Sequence, residues 1–329
     1  MSRLRARVVG LGTYSPERVL TNQDLERFLD TSDEWIVTRT GIRERHLAGD
    51  DETTATMAAA AARAALADAG LEPDAIDYVV LATNTPDNIF PAVAARVQDA
   101  LGIPAAGGFD LQAGCTGLIY GLDVAAALIE SGRIRRALVV GSDKLSSIVD
   151  YTDRKTAVLF GDGAGALVLE GQTGEYGLLG SFVRLDGKGA DLISIPAGGS
   201  RLPASTRTVE ERLHYIRMDG NETFRFAVRA MPQAVEQALE RAGLPLSALD
   251  LLVPHQANSR IIEAAMRHFA LEPEKVVMNI DRYGNTSVAS IPLALADARA
   301  QGRLVPGRVV ALAGFGAGLT WGANIIRWG

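Results

Sequence analysis

Apolar residues at 118, 119, 122, 125, 126 and 129 fall on one helical stripe, with Cys115 in phase with them. The spacing predicts a helix opening near Cys115 and closing at Ser131-Gly-Arg133. A second helix is predicted from Gly284-Asn-Thr-Ser287 to Gln301-Gly-Arg303. Each is followed by an unbroken apolar run, Ala137–Gly141 and Val309–Gly314, which reads as a buried strand. Further upstream, Ala65–Leu81 and Ala238–Pro254 both read as a helix end, an Ala-Gly stop, a turn, and a buried strand after Asp.

These matches keep a nearly constant offset of 170 to 173 positions, so the chain is internally duplicated. A third match pairs Gly161-Asp-Gly-Ala-Gly165 with Gly314-Phe-Gly-Ala-Gly318 at a shorter offset. The first half therefore carries an extra segment, roughly 142 to 160, between two strands. Alternating strands and helices predict an α/β fold of layered halves with pseudo-twofold symmetry. The division is placed at 1–172, with the cysteine, and 173–329, with the paired histidine and asparagine.

Composition narrows the classes. An apolar fraction of 47% in 329 residues describes a packed globular protein. The net charge of −6 argues against nucleic acid as partner, and no stretch has the length of a membrane span. One cysteine cannot close an internal disulfide. The basic start lacks an apolar run of secretory length, and a cytoplasmic location is expected. The four histidines are scattered, so no metal site is expected.

The duplication sets Cys115 opposite Asn285, each at a strand-to-helix turn after Gly, and His255 opposite Ala82 at a strand end. Each has an ordinary structural reading alone: a buried thiol, a satisfied histidine, a turn asparagine. Together at symmetry-related strand ends they suggest one site. A thiol at a helix start is expected to have a lowered pKa. It could accept an acyl group from a thioester, while His and Asn donate to an enolate or oxyanion. A papain-like hydrolase also uses Cys, His and Asn, but not on a duplicated layered fold.

The chain resembles the β-ketoacyl-[acyl-carrier-protein] synthase III family of the thiolase superfamily. The likeness spans essentially the whole chain. It is carried by Thr31–His46, Ala113-Gly-Cys-Thr-Gly117, Phe160-Gly-Asp-Gly-Ala-Gly165, His255-Gln-Ala-Asn258, Gly284-Asn-Thr-Ser287 and Gly314–Gly322 in that order. The resemblance implies a thiolase-like fold and a decarboxylative condensation of an acyl-CoA primer with malonyl-acyl-carrier protein, initiating fatty acid synthesis. Cys115 would carry the acyl group, and His255 and Asn285 would stabilise the enolate. Backbone N–H groups of Cys115 and Ala317 would form the oxyanion hole, although many relatives have Gly at the latter position.

The resemblance also implies CoA contacts at Trp35, Arg39, Arg154, Gly220, Asn221 and Asn258, with Trp35 stacking on adenine, Arg154 on its other face and Arg39 near phosphate. Arg225, Arg260 and Arg267 would dock the acidic carrier protein. Phe90 would reach the acyl pocket of the second subunit of a homodimer. No cofactor is implied beyond the CoA thioester substrate. Trp35 and Arg39, four apart on a predicted helix, could also simply pack together.

Four rivals are weaker. A thiolase needs a second cysteine, and chalcone-type synthases lack the Thr31-Ser-Asp-Glu-Trp35 signature. Gly314-Phe-Gly-Ala-Gly318 lies too near the C-terminus for a dinucleotide-binding βαβ unit. A relative working in polyketide or quinolone metabolism remains the alternative, with the loop 185–217 the least family-like part.

Overall fold

The computed structural model describes residues 3–329. Two sheets form its frame. In the first half, β1 (Leu4–Tyr14), β2 (Tyr78–Ala82), β3 (Gly107–Leu111), β4 (Arg136–Asp143) and β5 (Gly163–Thr173) lie in the order β1-β5-β4-β2-β3. In the second, β6 (Gly177–Leu185), β7 (Leu251–Pro254), β8 (Val309–Gly316) and β9 (Thr320–Arg327) lie in the order β7-β8-β9-β6.

The pairings repeat between halves. β2 runs parallel to β4, and β4 antiparallel to β5; likewise β7 runs parallel to β8, and β8 antiparallel to β9. An isolated parallel bridge from Leu252 to Val276 stands where the first sheet has β3. The duplicated α/β architecture read from the sequence is thus present. So is the extra segment: β8 turns directly into β9 at Gly316 and Thr320, whereas β4 ends at Asp143 and β5 begins only at Gly163.

Helices sort into three layers. Seven of them matter here: α1 (Asp33–Thr40), α2 (Thr54–Ala69), α3 (Val93–Leu101), α4 (Gly117–Glu130), α5 (Gly220–Ala242), α6 (Ser259–Phe269) and α7 (Ser290–Ala300). α2 and α3 share an apolar cluster with the first sheet, and α5 and α6 share one with the second. Between the sheets lie α4 and α7. Their residues Leu118, Ile119, Leu122, Ile291, Ala294 and Leu295 pack with Val139, Leu167, Val253 and Leu312 from both sheets. Each large side chain fully buried there contributes about 1.5–3 kcal/mol.

Local chemistry sets the ends of these elements. Thr53 and Thr56 form a reciprocal cap at the start of α2, and Asp219 accepts from the Asn221 and Glu222 N–H groups at the start of α5. The two Ala-Gly stops read from the sequence, Gly70 and Gly243, take left-handed φ values of 62° and 68°. Among the described residues no helix is long and apolar enough to cross a membrane.

The central layer positions the site, because α4 and α7 both begin at the same end of the two sheets' shared core. The helix after Cys115 starts two residues later than the apolar stripe implied. Cys115 and Thr116 stand in the turn ahead of it, and α4 opens at Gly117.

Candidate active site

His255 follows β7 directly and its N–H donates to the Ala313 carbonyl of β8 at 2.7 Å. Gln256 behind it donates to the Pro254 and Val277 carbonyls and accepts from Asn279 N–H, so the loop is rigidly tied. Asn285 is held by the extra segment of the other half. Its N–H donates to the Leu159 carbonyl at 2.8 Å, and its carbonyl accepts from Gly161 N–H at 3.0 Å. Cys115 comes from the turn before α4. The duplication therefore delivers the three side chains from different turns to one cavity of about 1120 Å³.

The Gly-rich loop after β8 presses on the nucleophile turn. A Cβ on Gly316 would lie 2.4 Å from the Cys115 nitrogen, and one on Gly114, at φ +55°, would lie 2.5 Å from the Ala317 nitrogen. Only glycine permits that approach. Ala317 itself is not among the residues with positive φ, so its side chain is carried without strain, and its nitrogen lies close against Gly114 of the nucleophile turn. The hydroxyl of Thr116 donates toward Thr320 Oγ1 at 2.7 Å, which fastens the two loops together.

The electrostatics correct one expectation. The thiol was expected to be acidified by the helix start. Burial instead pushes Cys115 up to about 12, helped by the nearby Asp143 carboxylate and opposed by a hydrogen bond with Ser287. What exposure Cys115 retains is toward the cavity, so loss of water dominates over the helix end, which lies two residues on. Burial also pushes His255 down to about 3, so the imidazole is neutral. Asp143 is fully buried. It accepts from Thr83 Oγ1, Asn84 N–H, Asn84 Nδ2 and Thr85 Oγ1, and burial raises its pKa despite these bonds.

Chemically, a half-buried thiol in a turn pressed against the Ala317 loop can take up an acyl group, and backbone N–H groups of the two segments are the donors available to its carbonyl oxygen. A neutral imidazole and a carboxamide next to it can hold a second oxygen. Among the described residues no His, Cys, Asp or Glu side chains are grouped so as to hold a metal ion.

Known proteins show the family of this chain. The family model for 3-oxoacyl-[acyl-carrier-protein] synthase III matches residues 109–187, and that for the synthase III C-terminal part matches residues 239–328. The β-ketoacyl-[acyl-carrier-protein] synthase III of Symbiobacterium thermophilum is 54% identical over 98% of both chains. The chain belongs to the synthase III family. Solved structures agree. The synthase III of Thermus thermophilus superposes with a TM-score of 0.92 at 48% identity, covering 98% of this chain and 99% of that one. That of Pseudomonas aeruginosa gives 0.91 at 48%, covering 98% of each. Synthase III enzymes are condensing acyltransferases with a thiolase-like fold, as the resemblance implied.

Within this synthase III, Trp35, Arg39, Arg154, Gly220, Asn221, Asn258 and Arg260 line the same cavity as Cys115. Arg39 lies over the Trp35 ring at 4.8 Å, the packing their i, i+4 spacing also allowed, and Arg154 lies over the same ring at 5.2 Å. Asn258 caps α6 by accepting from Arg260 N–H and donates to the Arg39 carbonyl, so both ends of its amide are already engaged.

Phe90, Arg225 and Arg267 are not on the cavity. Phe90 is 83% exposed beside Ile89 at 86%, on a projecting loop. Arg225 pairs with Glu222 at 2.6 Å and Arg267 with Glu263 at 3.8 Å, both on the surface. Sequence reasoning missed Asn84, Asp143, Ser287 and Ser290, which surround the three site residues. The spacing Ser287-x-x-Ser290 just after Asn285 was the available signal, and it reads as ordinary helix-start chemistry.

Proposed function

We propose that this chain condenses an acyl-CoA primer with malonyl-acyl-carrier protein to give a 3-oxoacyl product, initiating fatty acid synthesis. The convergence of Cys115, His255 and Asn285 on one cavity that also reaches Trp35 and Arg154 carries this reading. Cys115 Sγ attacks the primer thioester carbonyl, the oxygen is received by the Cys115 and Ala317 N–H groups, and the thiol proton leaves with CoA. Malonyl thioester then loses carbon dioxide. The resulting enolate oxygen is held by His255 and Asn285, its carbon attacks the acyl-cysteine, and the Cys115 thiolate is expelled and reprotonated.

Several finer points belong to the same proposal. CoA enters along Trp35, Arg39 and Arg154, with its pantetheine arm past Gly220, Asn221 and Asn258. Arg225, Arg260 and Arg267 face the carrier protein. Two copies form a homodimer in which Phe90 reaches the partner's pocket, and the enzyme works in the cytoplasm. The primer is acetyl-CoA or another short acyl-CoA. The secondary-metabolism alternative is not favoured, because relatives about half identical over the whole chain bear the synthase III name.

A panel of acyl-CoA primers tests the proposal, with malonyl-acyl-carrier protein and malonyl-CoA compared as extenders. Mass spectrometry follows the Cys115 adduct. A short-chain acyl-enzyme that condenses with the carrier-bound extender is the expected result. Failure of Cys115 to become acylated by any primer, or normal acylation of Cys115→Ser, would overturn it.

A further inference from the structure

The turn from Asn285 to Ser290 does more than present Asn285. Ser287 has a left-handed φ of 50°, unusual for a residue with a side chain, and its N–H donates to Asn285 Oδ1 at 2.9 Å. That bond fixes the carboxamide with its oxygen turned back into the turn, which leaves the Nδ2 hydrogens for the cavity. Three residues on, Ser290 Oγ lies 2.7 Å from His255 Nδ1 and 2.8 Å from the Ser287 carbonyl. All three groups are buried, with Ser290 and Ser287 2% exposed and His255 1%.

A serine hydroxyl has one hydrogen, so it can serve only one of these two acceptors at a time. If it points to the Ser287 carbonyl, Nδ1 must carry the imidazole proton and Nε2 faces the cavity bare. If it points to Nδ1, the proton sits on Nε2. The Ser287 carbonyl does not need the hydroxyl, because the Ser290 backbone N–H already donates to it. Ser290 Oγ is the one partner of Nδ1 among the described residues in either tautomer, so the choice between them rests on what Nε2 must do in the cavity. A bare Nε2 could not donate to an oxygen in the cavity.

We infer that Ser290 is a positioning residue: its hydroxyl donates to His255 Nδ1 and so holds the imidazole in the tautomer that presents Nε2–H to the enolate oxygen. This rests on the proposed condensation, and it assigns the orientation of both enolate donors to one turn. Ser287 N–H orients the carboxamide of Asn285, and Ser290 Oγ–H orients the imidazole of His255. The side chain of Ser290 does not itself line the cavity.

Two measurements test it. In ¹⁵N-histidine-labelled enzyme at neutral pH, the His255 signals, identified by their loss in His255→Gln, are expected to show a protonated Nε2 and an unprotonated Nδ1. Ser290→Ala should move the population toward Nδ1–H. In half-reactions, Ser290→Ala should slow decarboxylation of the malonyl thioester by about 10²-fold, the scale of losing one oxyanion donor. Acylation of Cys115 should stay within about threefold, and Ser290→Thr, which keeps the hydroxyl, should restore decarboxylation and the tautomer. A wild-type imidazole protonated on Nδ1 would overturn the inference, as would an equal loss, or no loss, in both half-reactions of Ser290→Ala. Absence of both half-reactions in the wild type would instead overturn the functional reading, leaving the tautomer to be decided by the NMR signals alone.

Discussion

Thr116 and Thr320 meet hydroxyl to hydroxyl at 2.7 Å, one from the nucleophile turn and one from the strand after the Gly-rich loop. Both hydroxyls also reach the Ala113 carbonyl, at 2.6 and 2.8 Å, and Thr320 Oγ1 reaches the Ala317 carbonyl at 3.0 Å. The two halves of the molecule are thus joined by a buried polar cluster directly behind the proposed oxyanion hole. Thr320→Val keeps the shape and removes the hydroxyl, leaving the carbonyls less well served. It should cost about 1–3 kcal/mol of stability in urea unfolding. It should also slow acylation of Cys115, because the loop carrying Ala317 N–H loses its fastening. A variant as stable and as quickly acylated as the wild type would rule the cluster out as a support for the site.

Gly316 is a sharper probe of the same contact. Its missing side chain is what lets the loop rest on the Cys115 nitrogen, where a methyl group would sit at 2.4 Å from a backbone atom. Neither backbone can yield without moving the other. Gly316→Ala should therefore separate the Cys115 and Ala317 N–H groups and lower the acylation rate by about 10²-fold, the scale of an ångström misplacement. Alkylation of the thiol by a small reagent should remain, since access to the cavity is unchanged. Acylation at the wild-type rate, followed by mass spectrometry, would show that the close approach is dispensable.

The thiol and the imidazole give pH signatures of opposite sense. Cys115, pushed up to about 12, keeps its proton in the folded protein where an unfolded cysteine would lose it. Stability should therefore fall as pH rises above about 8.5, the unfolded value. Alkylation by iodoacetamide should keep accelerating beyond that pH without a plateau. The buried Asp143 carboxylate is one cause of the raised value, so Asp143→Asn should shift the alkylation profile toward lower pH. A plateau near pH 7 in the wild type would mean that the helix start governs the thiol after all.

His255 acts at the other end of the scale. Its folded pKa of about 3 lies below the ordinary 6.5, so the unfolded chain binds a proton that the folded one refuses. The stability this confers is present above pH 6.5 and is lost as pH falls from 6.5 toward 3. His255→Gln removes the titrating group. Its unfolding free energy should decline less steeply over that window than the wild type's, as read from urea titrations at a series of pH values. Parallel decline of both proteins would place the imidazole in contact with water.

These tests turn on features of unequal visibility in the sequence. The convergence of Cys115 with Asn285 was legible because duplication keeps equivalent turns in register. His255 was legible as a polar residue where Ala82 stands in the other half. The direction of the Cys115 shift was not, because its main cause is burial by the folded chain, with Asp143 adding to it, and neither shows in the local pattern of the helix start. Ser290 was hidden for a related reason. Its hydroxyl reads as helix-start chemistry until β7 brings His255 beside it. Arg39 over Trp35 was legible as an i, i+4 neighbour, whereas the place of Arg154 over the same ring follows from packing between distant segments that no spacing encodes.

The proposed carrier-protein face can be ranked by what each arginine already touches. Arg225 is held by Glu222 at 2.6 Å, and Arg267 lies near Glu263. Arg260 has no carboxylate partner among the described residues. It rests over the Phe224 ring at 5.2 Å and lines the cavity while remaining exposed. Its charge is therefore the one most available to an acidic partner approaching the entrance. Arg260→Glu should raise the KM for malonyl-acyl-carrier protein by about tenfold, with a smaller effect on the primer acyl-CoA, and Arg225→Glu should do less because a neighbouring carboxylate already offsets that charge. The difference between wild type and Arg260→Glu should shrink as salt is raised and exposed charges are screened. An unchanged KM for the carrier-bound substrate in Arg260→Glu, or a larger effect from Arg225→Glu, would move the docking face elsewhere.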